Sequence, residues 1–222
     1  MSRSERAAEV LSAMMTNGEE NWHILVGPDV GEKDLDERLD IHPLMETSVA
    51  SIVSALADDF RIALPAGRVS GETGREVLGA VLRHVVDKGE ILRERDDGIT
   101  LYACPSPDTA GWVIAQIAVG NGASGDPEIA GIYHHTSLLV LDDFRGRGIG
   151  SDLVVEHVLE NGGVLNWDLD CCSYSPAGAA AHLAALRKLE ELAQEMSACE
   201  GERISFTMGA CSGFRQILPV IP

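Results

Sequence analysis

Apolar residues recur along this chain with two different periods, and the change from one to the other marks its organisation. Ala7, Val10, Leu11 and Met14 stand at helical spacing over residues 3–15. A second helix is predicted over 46–56. A third is predicted over 75–86, where Val77, Leu78, Val81, Leu82 and Val85 form one stripe that stops near Gly89. Between the first two, residues 26–40 are polar and contain glycine and proline, the composition of a surface connection. From residue 90 the period shortens. "EILRERDDGITLYACP" carries two strand-like runs around Asp97-Gly98, a dipeptide that tolerates the positive φ of a hairpin turn. "GWVIAQIAVG" and "IYHHTSLLVL" are predicted as further strands of an antiparallel meander, joined by the loop "NGASGDPE". Helical spacing returns over 151–160 and 177–196, with the strand-like "VLNWDLD" between them and "RISFTM" and "QILPVIP" after them.

Strand runs followed by strand, helix and strand again specify an α+β fold: a mixed, mainly antiparallel central sheet with helices on both faces. Residues 1–89 are read as a helical N-terminal region packed on a core of residues 90–222, the whole forming one continuous domain.

Composition narrows the function classes. With 45% apolar and 23% charged residues this is an ordinary globular chain, and no apolar stretch approaches a membrane span, so no membrane partner is expected. The five cysteines are an odd number without a CxxC pair, which favours a reduced, cytoplasmic protein and argues against a structural zinc site. The start, with Glu9 inside an amphipathic segment, lacks the apolar run of a signal peptide. A formal charge of −18 repels phosphate backbones over most of the surface, so no nucleic-acid partner is expected; the acidity either attracts a cationic or amine substrate or serves solubility.

Against that acidic background "DDFRGRGIGSDLVVEHVL", from Asp142 to Leu159, stands out. Arg145, Gly146, Arg147, Gly148, Ile149, Gly150 and Ser151 fall where a strand ends and a helix begins, and the first N–H groups of a helix have no internal partners. Glycines there let a ligand reach those groups, the helix dipole adds partial positive charge, and the arginines supply charge-assisted donors. The pattern suits a pyrophosphate. It is no P-loop, because GxxxxGK(S/T) is absent. A dinucleotide fingerprint, with Asp168 as its acidic residue, fits poorly: the spacing is GxGxG, and about 70 residues after Gly150 are too few for a doubly wound domain.

Arg-x-x-Gly-x-Gly after an apolar strand and before an amphipathic helix resembles the coenzyme A pyrophosphate loop of the GNAT superfamily of acyl-CoA-dependent N-acyltransferases. The resemblance extends over about residues 90–190. It implies that the backbone of Leu138, Leu139 and Val140 pairs with the pantetheine arm while residues 145–150 cradle the pyrophosphate. It further implies transfer of an acetyl group from acetyl-CoA to a primary amine within a ternary complex, and leaves a homodimer open. Many members carry an Asn at a later strand end and a Tyr seven residues on that protonates the leaving thiolate. Here those positions hold Ser175 and His182, with Tyr174 as the reserve proton donor. For the base that takes the amine proton, the stretch before the glycine loop offers Glu128, His134 and His135. Strand alternation sends the two histidines to opposite faces, and His135 is the one preferred. A metal held by His134, His135 and Cys171 or Cys172 matches no ligand spacing and is not expected. The departure at His182 keeps a second reading open, a GNAT-like module that binds acyl-CoA without turnover.

Overall fold

The computed structural model describes residues 2–16, 49–64, 71–122, 124–135, 137–160, 175–199, 205–211 and 214–220. The chain divides into two compact units, residues 46–157 and residues 1–45 with 158–222.

In the first unit, helices α2 (Val49–Asp59) and α3 (Gly71–Lys88) precede five consecutive strands: β1 (Glu90–Glu94), β2 (Thr100–Pro105), β3 (Val113–Asn121), β4 (Pro127–His134) and β5 (Ser137–Val140). Among the described residues they pair with their sequence neighbours, all antiparallel, in the order β1-β2-β3-β4-β5. The fold is therefore α+β with an antiparallel five-stranded sheet. "VLNWDLD", the strand expected beyond it, lies outside the described residues.

Helix α3 begins four residues before the apolar stripe predicts, because Gly71, Glu72 and Thr73 add a polar first turn that carries no period; Glu72 complements the dipole there. It stops at Gly89, whose N–H donates to the Val85 carbonyl at 2.8 Å. A Cβ on Gly89 would come within 2.3 Å of that same oxygen, so only glycine closes this turn.

Both faces of the sheet are covered. Ile52, Val53 and Leu56 of α2 and Val77, Val81 and Val85 of α3 join Ile117, Ile132 and Leu139 in one buried cluster. Each such side chain contributes about 1.5–3 kcal/mol of burial. On the opposite face lies helix α4 (Ile149–Glu160). A Cβ on Gly131 would meet Leu153 Cδ1 at 3.0 Å and Ile149 Cγ2 at 3.2 Å, and the Tyr133 ring lies 4.4 Å from that of His157. Gly131 thus sets how closely α4 approaches β4.

One expectation is corrected. "IYHHTSLLVL" is not one strand: its two halves, β4 and β5, pair antiparallel with His134 opposite Ser137, so the chain reverses between them. His135 has φ +51, as two-residue hairpin turns require. The apolar alternation runs on through the turn, and His-Thr carries none of the glycine or asparagine that usually signals one.

In the second unit, α1 (Arg3–Thr16) packs against α5 (Pro176–Cys199). Arg6 Nε donates to the Leu159 carbonyl at 2.9 Å. Leu186, Leu189 and Ala193 are buried along α5, on the stripe the sequence predicts. Strands β6 (Ser205–Cys211) and β7 (Phe214–Val220) form an antiparallel hairpin.

Candidate functional site

The glycine loop lies where the pattern places it. After β5 a single 3₁₀ turn (Asp142–Phe144) leads to Arg145, and α4 starts at Ile149. Gly146 and Gly148 both have positive φ, +76 and +74, so a side chain at either would be strained. A Cβ on Gly146 would meet nothing within 4 Å, which leaves the loop open to an incoming group. Ser151 Oγ donates to the Gly148 carbonyl at 2.8 Å, and the Asp152 N–H donates to it at 3.2 Å. The buried Phe144 and Ile149 pin the two sides of the loop into the core.

The arginines do not stand free, and no spacing along the chain links Arg147 to its partner Asp97. Arg145 is bonded to Asp142 Oδ1 at 3.0 Å and its Nε donates to the Val140 carbonyl at 3.3 Å. Arg147 reaches back to the β1–β2 hairpin, donating to Asp97 Oδ2 at 3.0 Å and to its carbonyl at 3.1 Å. Arg95 donates to both Asp97 carboxylate oxygens at 3.0 Å, sharing Oδ2 with Arg147, and also to the Arg147 carbonyl at 2.6 Å and to the buried Asp152. Arg93 also reaches Asp152, at 3.2 Å. Hydrogen bonds from Arg95, joined by those from Arg147 against a smaller opposing effect of burial, hold the Asp97 carboxyl below its ordinary range. The loop is thus fastened to the hairpin tip by an alternating network of arginines and carboxylates.

Strand β5 is the last of the sheet among the described residues. Hydrogen-bonded and non-bonded pairs alternate along an antiparallel ladder. The Leu141 N–H donates inward to Ala130 at 3.0 Å, and the tight turn makes His134 and Ser137 an exchanging pair. Leu139 therefore faces β4, while the N–H groups of Leu138 and Val140 point outward from the edge. This is the edge that the resemblance assigns to the pantetheine arm.

At the far end of β5 a group forms that sequence reading only half anticipated. His134 Nε2 lies 2.5 Å from Asp59 Oδ2, and His135 Nε2 lies 3.6 Å from the same oxygen. Asp59 is the last residue of α2, and nothing in sequence links it to a turn 75 residues away. His134 is 2% exposed and His135 63% on their side chains, so alternation does not decide between them: one is buried, the other sits on the turn. Burial lowers the His134 pKa, the Asp59 hydrogen bond opposes it, and the neighbouring His135 adds to the lowering. Cys104 lies in the same cross-strand row, opposite Ala115, which is opposite His134. Burial, with Asp59 adding to it, pushes its thiol up to about 12, which makes it an inert core residue.

Glu128 lies at the wrong end for work beside these histidines. It opens β4 opposite Gly120, six residues from His134, or about 20 Å along the strand at ~3.4 Å per residue. Its carboxylate covers Gly122, where a Cβ would approach to 2.5 Å.

His182 belongs to the other unit. Only 4% exposed, it donates from Nδ1 to the Gly178 carbonyl at 2.7 Å, which fixes its tautomer. Burial lowers its pKa to about 4, against a smaller raising effect of that bond. It is neutral at pH 7, so the imidazolium expected to donate a proton from this position is not the form present. Ser175 opens α5, its hydroxyl accepting from the Gly178 N–H at 3.0 Å as an N-cap. Tyr174, Asp168, Cys171 and Cys172 lie outside the described residues.

No protein-family model matches this chain, and comparison with curated proteins and with solved structures finds no match either.

Proposed function

We propose that this protein is an acyl-CoA-dependent N-acyltransferase that moves an acetyl group from acetyl-CoA to a primary amine within a ternary complex. The observation that carries the reading is the sequence of parts along one line: a strand with outward-facing N–H groups, an open positive-φ glycine loop directly after it, and a helix start directly after the loop. The N–H groups at the start of α4 suit a pyrophosphate, and the outward N–H groups of Leu138 and Val140 suit an extended arm bearing amide groups. The run from Ser137 to Leu141 covers about 14 Å at ~3.4 Å per residue, a length that supports an acyl end lying toward the β4–β5 turn.

Acetyl-CoA, when bound, supplies an activated thioester carbonyl to a nitrogen nucleophile. Residues 145–150 then hold one end of the ligand, and Arg147 exchanges Asp97 for a phosphate oxygen. The edge of β5 orients the arm. An N–H of Leu138 or Val140 polarises the carbonyl. The acceptor's ammonium first loses a proton at the turn, to His135 directly or through water, and the free amine that results attacks the carbonyl. With His182 neutral, the leaving thiolate takes its proton from solvent.

The buried, neutral state of His182 and the carboxylate-paired arginines favour a second reading, a module that binds acyl-CoA without turnover. Calorimetry with acetyl-CoA and a thiol-release assay across amine classes separate the two. Binding with turnover supports the transferase, and binding alone supports the module. Gly148→Glu, which adds strain and a negative charge to the loop, is expected to abolish acetyl-CoA binding in either case. Wild-type affinity in that variant would place the ligand elsewhere or nowhere.

A further inference from the structure

We propose that Asp59, His134 and His135 form a binding site for a divalent transition-metal ion, with two imidazole nitrogens and one carboxylate oxygen as ligands and the remaining positions open to solvent. One donor atom from each residue lies within 4.8 Å of the others. For tetrahedral ligands about 2.0–2.1 Å from a metal, the ligand atoms are about 3.3 Å apart. The 3.6 Å from His135 Nε2 to Asp59 Oδ2 is close to that spacing. The 2.5 Å from His134 Nε2 would open by under an ångström.

Consecutive residues of an extended strand point to opposite faces, and His134 and His135 would do so in an unbroken strand. The turn reverses this. With φ +51 at His135 the two rings lie side by side, centroids 4.0 Å apart and 59° tilted, and both Nε2 atoms lie within 3.6 Å of one carboxylate oxygen. A structural hydrogen bond between buried His134 and Asp59 explains two of the three residues. It does not by itself account for the exposed His135, whose ring lies against that of His134 and whose Nε2 also reaches Asp59 Oδ2, at 3.6 Å.

The setting suits a cation. His134 is held in the core, Asp59 is held at the end of α2, and His135 gives an entry path from solvent. The nearest cationic side chain in sequence, Arg61, is turned to Asp108 at 2.6 Å. Imidazole with carboxylate favours zinc, cobalt, nickel or iron over magnesium or calcium, which prefer all-oxygen shells. His135 Nε2 cannot hold a metal and accept a proton together, so metal would inhibit the proposed acyl transfer. The site itself does not depend on that reading, because binding is measured without acyl-CoA.

The test is titration of the full, chelator-treated chain with cobalt(II), followed by its visible absorption, and with zinc by calorimetry. One ion per chain is expected, with His135→Ala weakening it by at least about tenfold through loss of one ligand. His135 is exposed, so that variant folds, and Asp59→Asn adds a second probe from α2. Saturable binding unchanged by both variants would place the ion elsewhere and overturn the proposal. So would the absence of saturable cobalt binding to the wild type.

Discussion

At the scale of single residues, backbone conformation sets Gly146 and Gly148, while surroundings set Asp59 and His182. Gly146 and Gly148 announce themselves because only a short list of residues tolerates φ near +75°, so their spacing carries conformational information directly. Asp59 carries no such mark: an aspartate at the end of a helix is ordinary until a turn 75 residues later brings two imidazoles to it. His182 was legible as a position and misleading as a role, since sequence does not report burial. That burial leads to a stability prediction. The unfolded histidine protonates near pH 6.5, the folded one only near pH 4, so between these values the unfolded chain binds more protons and stability falls with acidity. The loss should approach about 3 kcal/mol at the lower limit. Denaturant unfolding at pH 7.5 and 4.5 checks it against His182→Leu, which removes the titrating group and should lose measurably less on acidification. Equal losses in the two proteins would show that His182 does not titrate in this way.

At the scale of elements, periodicity located the helices of both units and the β1–β2 hairpin within a few residues. It merged β4 with β5 because their alternation stays in phase through the turn. What periodicity cannot see is how elements are fastened, and α4 is fastened by charge. Asp152 in its first turn is buried and shared by Arg93 and Arg95 of the hairpin. Removing one member of such a group leaves the others desolvated, so Asp152→Ala should destabilise the unit by about 3 kcal/mol. Combining Asp152→Leu with Arg95→Met should restore part of that, since an apolar pair leaves less charge unmatched. Chemical denaturation of the two variants decides it, and a double variant no more stable than Asp152→Ala would mean the network acts through packing alone.

At the scale of the whole molecule, a charge of −18 sets the field in which any ligand arrives. For the proposed transferase, a cationic amine gains from that field and a neutral one does not. Raising salt from about 50 to about 500 mM, which shortens the screening length to a few ångströms, should lower kcat/KM for a cationic acceptor and leave a neutral one nearly unchanged. Parallel kinetics with two acceptors of similar size measure the difference, and an identical salt response would assign the acidity to solubility. The hairpin's hold on the glycine loop has a consequence for how the motif can be used. Every residue from Arg145 to Ser151 is contiguous, so the run looks like a cassette that could be lifted into another chain. Its fastenings are Arg93, Arg95 and Asp97, some fifty residues upstream. A fragment or graft that kept the motif and left the hairpin behind would preserve every letter of it and lose the clamp that holds its shape, so the signature is not portable.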